Sequence, residues 1–139
     1  MRFNILLLLL TTLTTVTISQ SLPDKLLIQS AETHEFWAIS GSDVVLSQSP
    51  NVEWVIWGDL ISPVNDPGLA VQLNGPGKPL TITPRNSNPN QRWVIKPNGP
   101  TGTYICPFIQ PVICAKPENG KVIGSDKTSG EWYLIPVLE

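Results

Sequence analysis

The chain has few of the residues on which catalysis and metal binding depend. Its 139 residues include one histidine, two cysteines and one methionine, and only 14% of the side chains are charged. A single histidine, His34, and one cysteine pair do not resemble the ligand set of a zinc site. The sequence also lacks a Gly-x-Ser-x-Gly nucleophile motif and a glycine-rich phosphate loop. We therefore expect no enzymatic activity, no bound metal and no cofactor.

Runs of basic residues are absent as well. Nine lysines and arginines stand against eleven aspartates and glutamates, and the net charge is −2 at pH 7. Such a surface offers no basic patch to a phosphate backbone or an anionic lipid. Beyond the N-terminus, no apolar run approaches the about 20 residues that a spanning helix needs. We therefore expect neither nucleic-acid binding nor membrane insertion.

The N-terminus has the pattern of a secretory signal peptide. Arg2 supplies a positive charge, Ile5–Leu10 is an unbroken apolar run, and the small residues Thr17 and Ser19 suit a signal-peptidase site. A membrane anchor is the alternative, which the many threonines of this stretch disfavour. We expect residues 1–20 to be removed, leaving residues 21–139 as one secreted, extracellular domain.

The two cysteines, Cys106 and Cys114, are eight residues apart. In an oxidising compartment they are expected to form one disulfide. The flanking segments 104–106 and 112–114 have the composition of two strands around a proline-containing turn. The bridge is therefore predicted to staple a hairpin.

Three tryptophans recur at a constant spacing. Trp54, Trp93 and Trp132 lie 39 residues apart, and each opens a short apolar run. A fixed period of this size indicates a repeated supersecondary unit. The predicted units cover roughly residues 26–57, 67–96 and 102–136, and each places turn residues between two apolar stretches. Asn119-Gly120 is the clearest of these hairpin turns.

Three units of four short strands predict an all-β protein with a β-trefoil fold. In this fold six strands form a barrel that three hairpins cap, and Trp54, Trp93 and Trp132 would pack in the core. Closing the barrel also removes free sheet edges. An open β-sandwich gives no reason for the threefold repeat, and three propeller blades are too few to close.

Residues 90–93, Asn-Gln-Arg-Trp, match the Gln-x-Trp signature of ricin-B-type lectin repeats. Residues 37–47, followed by Asn51-Val52-Glu53-Trp54, resemble the ligand-carrying repeat of small fungal β-trefoil lectins that bind fucosylated chitobiose-type glycans. These resemblances imply a non-catalytic carbohydrate-binding protein whose partner is a cell-wall or glycoprotein glycan.

The chain departs from both lectin patterns at defined positions. Residues 68–72 contain no aspartate, which ricin-B sugar sites use at the start of the binding hairpin. Val52 stands where the fungal lectins have an aromatic residue two positions before the repeat tryptophan. A galactose site of the ricin-B kind is therefore not expected.

Similar Trp-x-Ile endings also occur in fungal β-trefoil inhibitors of serine and cysteine proteases. That resemblance implies an alternative function, in which an exposed loop such as residues 84–91 binds a protease. A secreted effector that binds a host protein is a third interpretation. Since one fold serves many functions, the fold does not choose among them.

Four residues are candidates for ligand contact: Trp37, Asp43, Asn51 and Trp57. The two tryptophans lie outside the 39-residue period, and a tryptophan offers sugars a large apolar face with one N–H donor. The aspartate and asparagine can hydrogen-bond sugar hydroxyls. Hairpin packing is the alternative role for the tryptophans, and turn chemistry is the alternative for the polar pair.

Overall fold

The structure is a computed structural model that describes residues 25–109, 111–127 and 129–138. The predicted signal peptide, residues 1–20, lies outside the described residues. The described part is all-β, with two short 3-10 turns and no α-helix. Its strands are β1 Leu26–Ser30, β2 Phe36–Ser40, β3 Asp43–Ser47, β4 Trp54–Trp57, β5 Leu60–Pro63, β6 Leu69–Gln72, β7 Thr81–Pro84, β8 Trp93–Pro97, β9 Thr103–Pro107, β10 Cys114–Glu118, β11 Lys121–Ser125 and β12 Trp132–Pro136.

Six strands curl into a sheet around the core. β4 pairs with β5, β8 with β9, and β12 with β1, all antiparallel. β1 also pairs with β4, and β9 with β12. Between β5 and β8 the Trp93 N–H donates to the Asp59 carbonyl at 2.8 Å. Each of the six strands therefore meets a neighbour on both sides.

Three hairpins, β2–β3, β6–β7 and β10–β11, cover this curled sheet and contact one another. The Val44 N–H donates to the Leu80 carbonyl at 2.9 Å, and the Leu80 N–H donates to the Val122 carbonyl at 2.8 Å. Asn119 and Gly120 have φ values of 52° and 77°, as a type I′ hairpin turn requires. A curled six-stranded sheet with three joined hairpins fits the predicted β-trefoil.

The three repeat tryptophans lie in the core, as predicted. Trp54, Trp93 and Trp132 are 0%, 2% and 0% exposed. Each indole N–H donates to a backbone carbonyl in the hairpin that precedes it. The acceptors are Trp37 at 3.4 Å for Trp54, Val71 at 3.0 Å for Trp93 and Ala115 at 3.2 Å for Trp132. The indole ring of a tryptophan is large enough to fill the core, and its N–H can also donate to a buried carbonyl.

Trp37 is a core residue, which corrects its prediction as a ligand contact. It is 1% exposed, so no face of its ring is open to a sugar. Its ring meets Trp54 and Trp132 edge to face, with centroids 5.7 Å and 5.5 Å apart. The three residues whose carbonyls accept the indole N–H groups, Trp37, Val71 and Ala115, occupy corresponding positions in the three units. The first unit therefore has a large side chain at this position, and the other two units have smaller ones.

The predicted disulfide is confirmed, but it does not staple a hairpin. Cys106 lies in β9, which pairs with β8, and Cys114 opens β10, which pairs with β11. The bridge therefore joins a strand of the curled sheet to a strand of the third hairpin. Segment 112–113, predicted as strand, instead belongs to the loop that the bridge closes.

Removing this bridge with the double change Cys106→Ser and Cys114→Ser should lower the melting temperature. On the chain-entropy estimate, a loop of this size contributes about 2–3 kcal/mol to the free energy of unfolding. Thermal unfolding followed by circular dichroism measures the shift. An unchanged melting temperature would contradict a stabilising role for the bridge.

The sequence pattern indicates no strand at residues 60–63, and the second predicted unit begins at residue 67. The structure places β5 there, paired with β4 along its whole length. Ser62 and Pro63 obscure the strand in the sequence, because both are poor strand formers, yet both are buried. Among the described residues, no helix has the length and hydropathy needed to cross a bilayer.

Candidate functional site

Three surface clefts occupy corresponding places around the curled sheet. Each contains the residue immediately before a repeat tryptophan, namely Glu53, Arg92 or Glu131. The carbonyls of these three residues accept N–H donors at 2.9, 3.1 and 2.9 Å from Val64, Phe108 and Ala31, respectively. We name them the Glu53, Arg92 and Glu131 clefts, with volumes of about 430, 250 and 520 Å³.

The Arg92 cleft is lined mainly by residues with polar side chains. Its guanidinium Nη1 donates to Asp59 Oδ2 at 2.5 Å, with both side chains partly open to water. One N–H group of Arg92 therefore binds the Asp59 carboxylate, and the other N–H groups of the guanidinium take no part in this contact. The cleft is lined by Leu60, Arg85, Asn86, Ser87, Gln91 and Arg92.

Two exposed aromatic residues are backbone partners of residues that line the Arg92 cleft. Trp57 is 54% exposed and Phe108 is 56% exposed, and the other aromatic residues of the described part are buried or half-buried. Trp57 is the cross-strand partner of Leu60, which lines the cleft, so the two side chains share one face of the sheet. The Phe108 N–H donates to the Arg92 carbonyl at 3.1 Å. The pairing therefore places both exposed aromatic residues next, along the strands, to residues of the cleft.

Gln91, the glutamine of the Gln-x-Trp signature, forms hydrogen bonds with the loop that makes one wall of the Arg92 cleft. It is 0% exposed. Its Nε2 donates to Thr83 Oγ1 at 2.7 Å and to the Pro84 carbonyl at 3.0 Å, and its Oε1 accepts the Asn86 N–H at 3.0 Å. In the sequence this residue is recognisable only as part of the Gln-x-Trp signature. Its bonds fix the loop that carries the polar residues of the cleft.

The four residues predicted for ligand contact do not form one site. Trp37 is in the core, whereas Trp57 is exposed beside the Arg92 cleft. Asn51 lines the Glu53 cleft, but its amide is bound to the backbone of Ile39, whose N–H and carbonyl it meets at 3.1 Å each. Asp43 is half-buried in β3, next to the contact with β7.

Arg92, Asp59 and Phe108 are not among the residues that the sequence predicts for ligand contact. Arg92 was visible as the residue before a repeat tryptophan, but nothing in the sequence joined it to Asp59, 33 positions earlier. No group of three or more His, Cys, Asp or Glu side chains in the described ranges is placed to hold a metal ion.

Comparison with known proteins identifies no family. No protein-family model matches the chain, and no curated protein matches it by sequence. The solved structure of a GlcNAcα1-4Gal-releasing endo-β-galactosidase from Clostridium perfringens is similar, with a TM-score of 0.71 and 17% identity over 84% of this chain and 34% of that one.

Two structures of lysenin are also similar. The complex of lysenin with phosphocholine gives a TM-score of 0.64 and 19% identity over 84% of this chain and 45% of lysenin. The lysenin pore gives 0.63 and 20% over 83% and 46%. At these identities the similarity concerns the fold, and the chain spans less than half the length of each of these three matched chains.

Proposed function

We propose that this chain is a secreted, non-catalytic glycan-binding protein, built as a β-trefoil of three repeats of about 39 residues, and that the Arg92 cleft is its binding site. The observation that carries the proposal is that both exposed aromatic residues, Trp57 and Phe108, are backbone partners of residues that line this cleft, Leu60 and Arg92 respectively. Single exposed apolar residues are ordinary, whereas exposed apolar groups rimmed by polar residues are typical of interaction sites.

The chemistry of the cleft suits a sugar. The C–H face of a pyranose packs on an aromatic ring, and the indole of Trp57 adds one N–H donor. Hydroxyl groups need donors and acceptors together, and Arg92 and Asp59 supply both at a separation of 2.5 Å. A volume of about 250 Å³ lies below the range of about 300–1,000 Å³ for drug-sized ligands, so the cleft suits one sugar ring with the remaining glycan outside.

The structural comparisons support this proposal at the level of the fold. The Clostridium perfringens protein releases GlcNAcα1-4Gal, and its match to this chain covers about a third of its length. We infer that this chain resembles a part of that enzyme that binds glycan without cleaving it. Lysenin in complex with phosphocholine provides a second example of ligand binding by a protein that contains this fold.

Protease inhibition through residues 84–91 is the second candidate, and one observation favours it. The loop is exposed but internally fixed, because Asn86 accepts the Asn88 N–H at 2.9 Å and Gln91 holds Asn86. An exposed loop with a rigid shape loses little entropy when it enters a protease. Stable complex formation with a serine or cysteine protease, abolished by changes in this loop, would establish this alternative.

A glycan array with the purified protein tests the lectin proposal. We expect Trp57→Ala and Phe108→Ala each to weaken binding of the selected glycan by about tenfold or more, since each removes an exposed ring that would pack on the sugar. Val112→Ala is the matched control, because Val112 is also exposed and lies in the same disulfide loop as Phe108. Its binding should equal that of the unchanged protein.

Two results would contradict the proposal. One is an array without selective binding by protein that circular dichroism shows to be folded. The other is selective binding that Trp57→Ala and Phe108→Ala both retain, which would move the site away from the Arg92 cleft. The first result would direct attention to the protease panel.

A further inference from the structure

Two arginines line the Arg92 cleft, and one of them has no counter-charge among the described residues. Arg92 binds the Asp59 carboxylate through its Nη1. Arg85 is exposed, and within the described part of the chain its guanidinium forms neither an ion pair nor a hydrogen bond. Asp59 therefore neutralises Arg92, and the charge of Arg85 remains. The cleft is positive in a protein whose net charge is −2.

The other two clefts differ in this respect. Among the described residues, no lysine or arginine lines the Glu53 cleft or the Glu131 cleft. The residue before the repeat tryptophan is a glutamate in both, and it is an arginine only in the second unit. Of the three clefts, the positive one is thus also the one whose wall residues have the exposed aromatic residues as backbone partners.

The loop of the Arg92 cleft adds uncharged donors. Asn86 Oδ1 accepts the Asn88 N–H at 2.9 Å, and a backbone N–H can bond only to the oxygen of the amide. The Nδ2 group of Asn86 therefore remains available, with no partner among the described residues. The Asn86 backbone N–H donates to the buried Gln91 Oε1 at 3.0 Å, so the loop is held in place before a ligand binds.

The unused polar groups of this cleft are mostly donors, and two of the donor side chains are charged. Donors on a charged side chain form their strongest hydrogen bonds with ionised acceptors. The planar guanidinium of an arginine matches the oxygens of a carboxylate or another oxyanion, which accept two N–H groups at once. A neutral sugar hydroxyl leaves the charge of Arg85 without a partner, whereas an acidic sugar supplies one.

We propose that the Arg92 cleft selects an acidic glycan, one whose sugar carries a carboxylate or a sulfate that Arg85 and Arg92 bind. This inference rests on the glycan-binding function proposed above and specifies the class of glycan. The exposed residues Trp57 and Phe108 are the independent sign of a ligand here, and they suit the uncharged part of the glycan.

A glycan array that prints neutral oligosaccharides beside their sialylated and sulfated forms tests this inference on the purified protein. We expect the selected glycans to be acidic, and the neutral parent of the best ligand to bind at least about tenfold more weakly, because a hydrogen bond to a charged group is lost. The two acidic arms show whether carboxylate or sulfate is preferred. Affinity for the acidic glycan should also fall as ionic strength rises.

Arg85→Gln is the decisive variant, because it removes the unpaired charge from an exposed side chain that holds no other residue. In isothermal titration it should weaken the acidic glycan by at least about tenfold and leave the neutral parent unchanged. A purely structural role of Arg85 would instead weaken both ligands. Lys121→Gln is the matched control, since it removes one positive charge from an exposed position on the third hairpin and should change neither affinity.

Three outcomes would overturn the inference. They are selective binding of neutral glycans only, equal affinity for an acidic glycan and its neutral parent, and unchanged affinity of folded Arg85→Gln for the acidic glycan. Selective binding of neutral glycans that Trp57→Ala abolishes would keep the proposed function and remove only this inference. A blank array from folded protein would remove both, so the two failures are distinguishable.

Discussion

Replacing Trp37 with alanine should lower the free energy of unfolding by about 3 kcal/mol, the low end of the range for buried tryptophans. The ring is 1% exposed and packs edge to face against Trp54 and Trp132, so its removal leaves a large cavity that these rings cannot fill. The low end applies because the Trp37 indole N–H has no acceptor and its loss removes a buried unpaired donor. Urea denaturation measures the change.

Trp57→Ala is the matched control for this prediction. It deletes the same atoms from a side chain that is 54% exposed, so the change in stability should stay within about 0.5 kcal/mol. The two variants should therefore separate two properties, with Trp37→Ala losing stability and Trp57→Ala losing ligand binding. Equal stabilities in the two variants would contradict the core position of Trp37.

Gln91→Leu should destabilise the protein by about 2–3 kcal/mol, even though leucine is more apolar. The change keeps the volume close but leaves the Thr83 hydroxyl, the Pro84 carbonyl and the Asn86 N–H without their buried partner. The same loop forms the wall of the Arg92 cleft, so ligand binding should weaken as well. Chemical denaturation gives the stability change, and amide hydrogen exchange at Asn86 reports the loosened loop.

Gln48→Leu makes the same chemical change at an exposed loop position and serves as the control. Its effect on stability should be within about 0.5 kcal/mol. If Gln91→Leu were as mild as Gln48→Leu, the hydrogen bonds of Gln91 would not hold the loop. In that event the glutamine of this signature would need another explanation.

Much of the fold could be predicted because its strongest signals are local or periodic. The spacing of Trp54, Trp93 and Trp132 locates core positions, and Asn119-Gly120 locates a turn, whatever the rest of the chain does. β5 could not be predicted, because the sequence at Ser62 and Pro63 shows no preference for a strand. Both residues are buried only because the strand packs against its neighbours. The sequence predicted the Cys106–Cys114 disulfide, but it did not predict which two strands the disulfide joins.

The site was less predictable because burial of an aromatic depends on the partners of its strand. Both Trp37 and Ala38 are buried within β2, so strict alternation does not describe that hairpin strand. The sequence gives Trp37 and Trp57 similar surroundings, apolar neighbours followed by a glycine turn, and only the packing separates core from surface. The Arg92–Asp59 pair depends on the start of β5 and the start of β8 being brought together, which no local pattern encodes.

The pairing of β12 with β1 has a consequence for how the protein is made. Leu26, at the start of the described chain, is the partner of Pro136, near its end. β1 is therefore synthesised long before β12. The pairing of these two strands can form only after almost all of the described residues have been made. Folding that depends on such distant segments is slow. During this interval β1 can pair with β4, but the edge that later meets β12 stays uncovered and is open to aggregation.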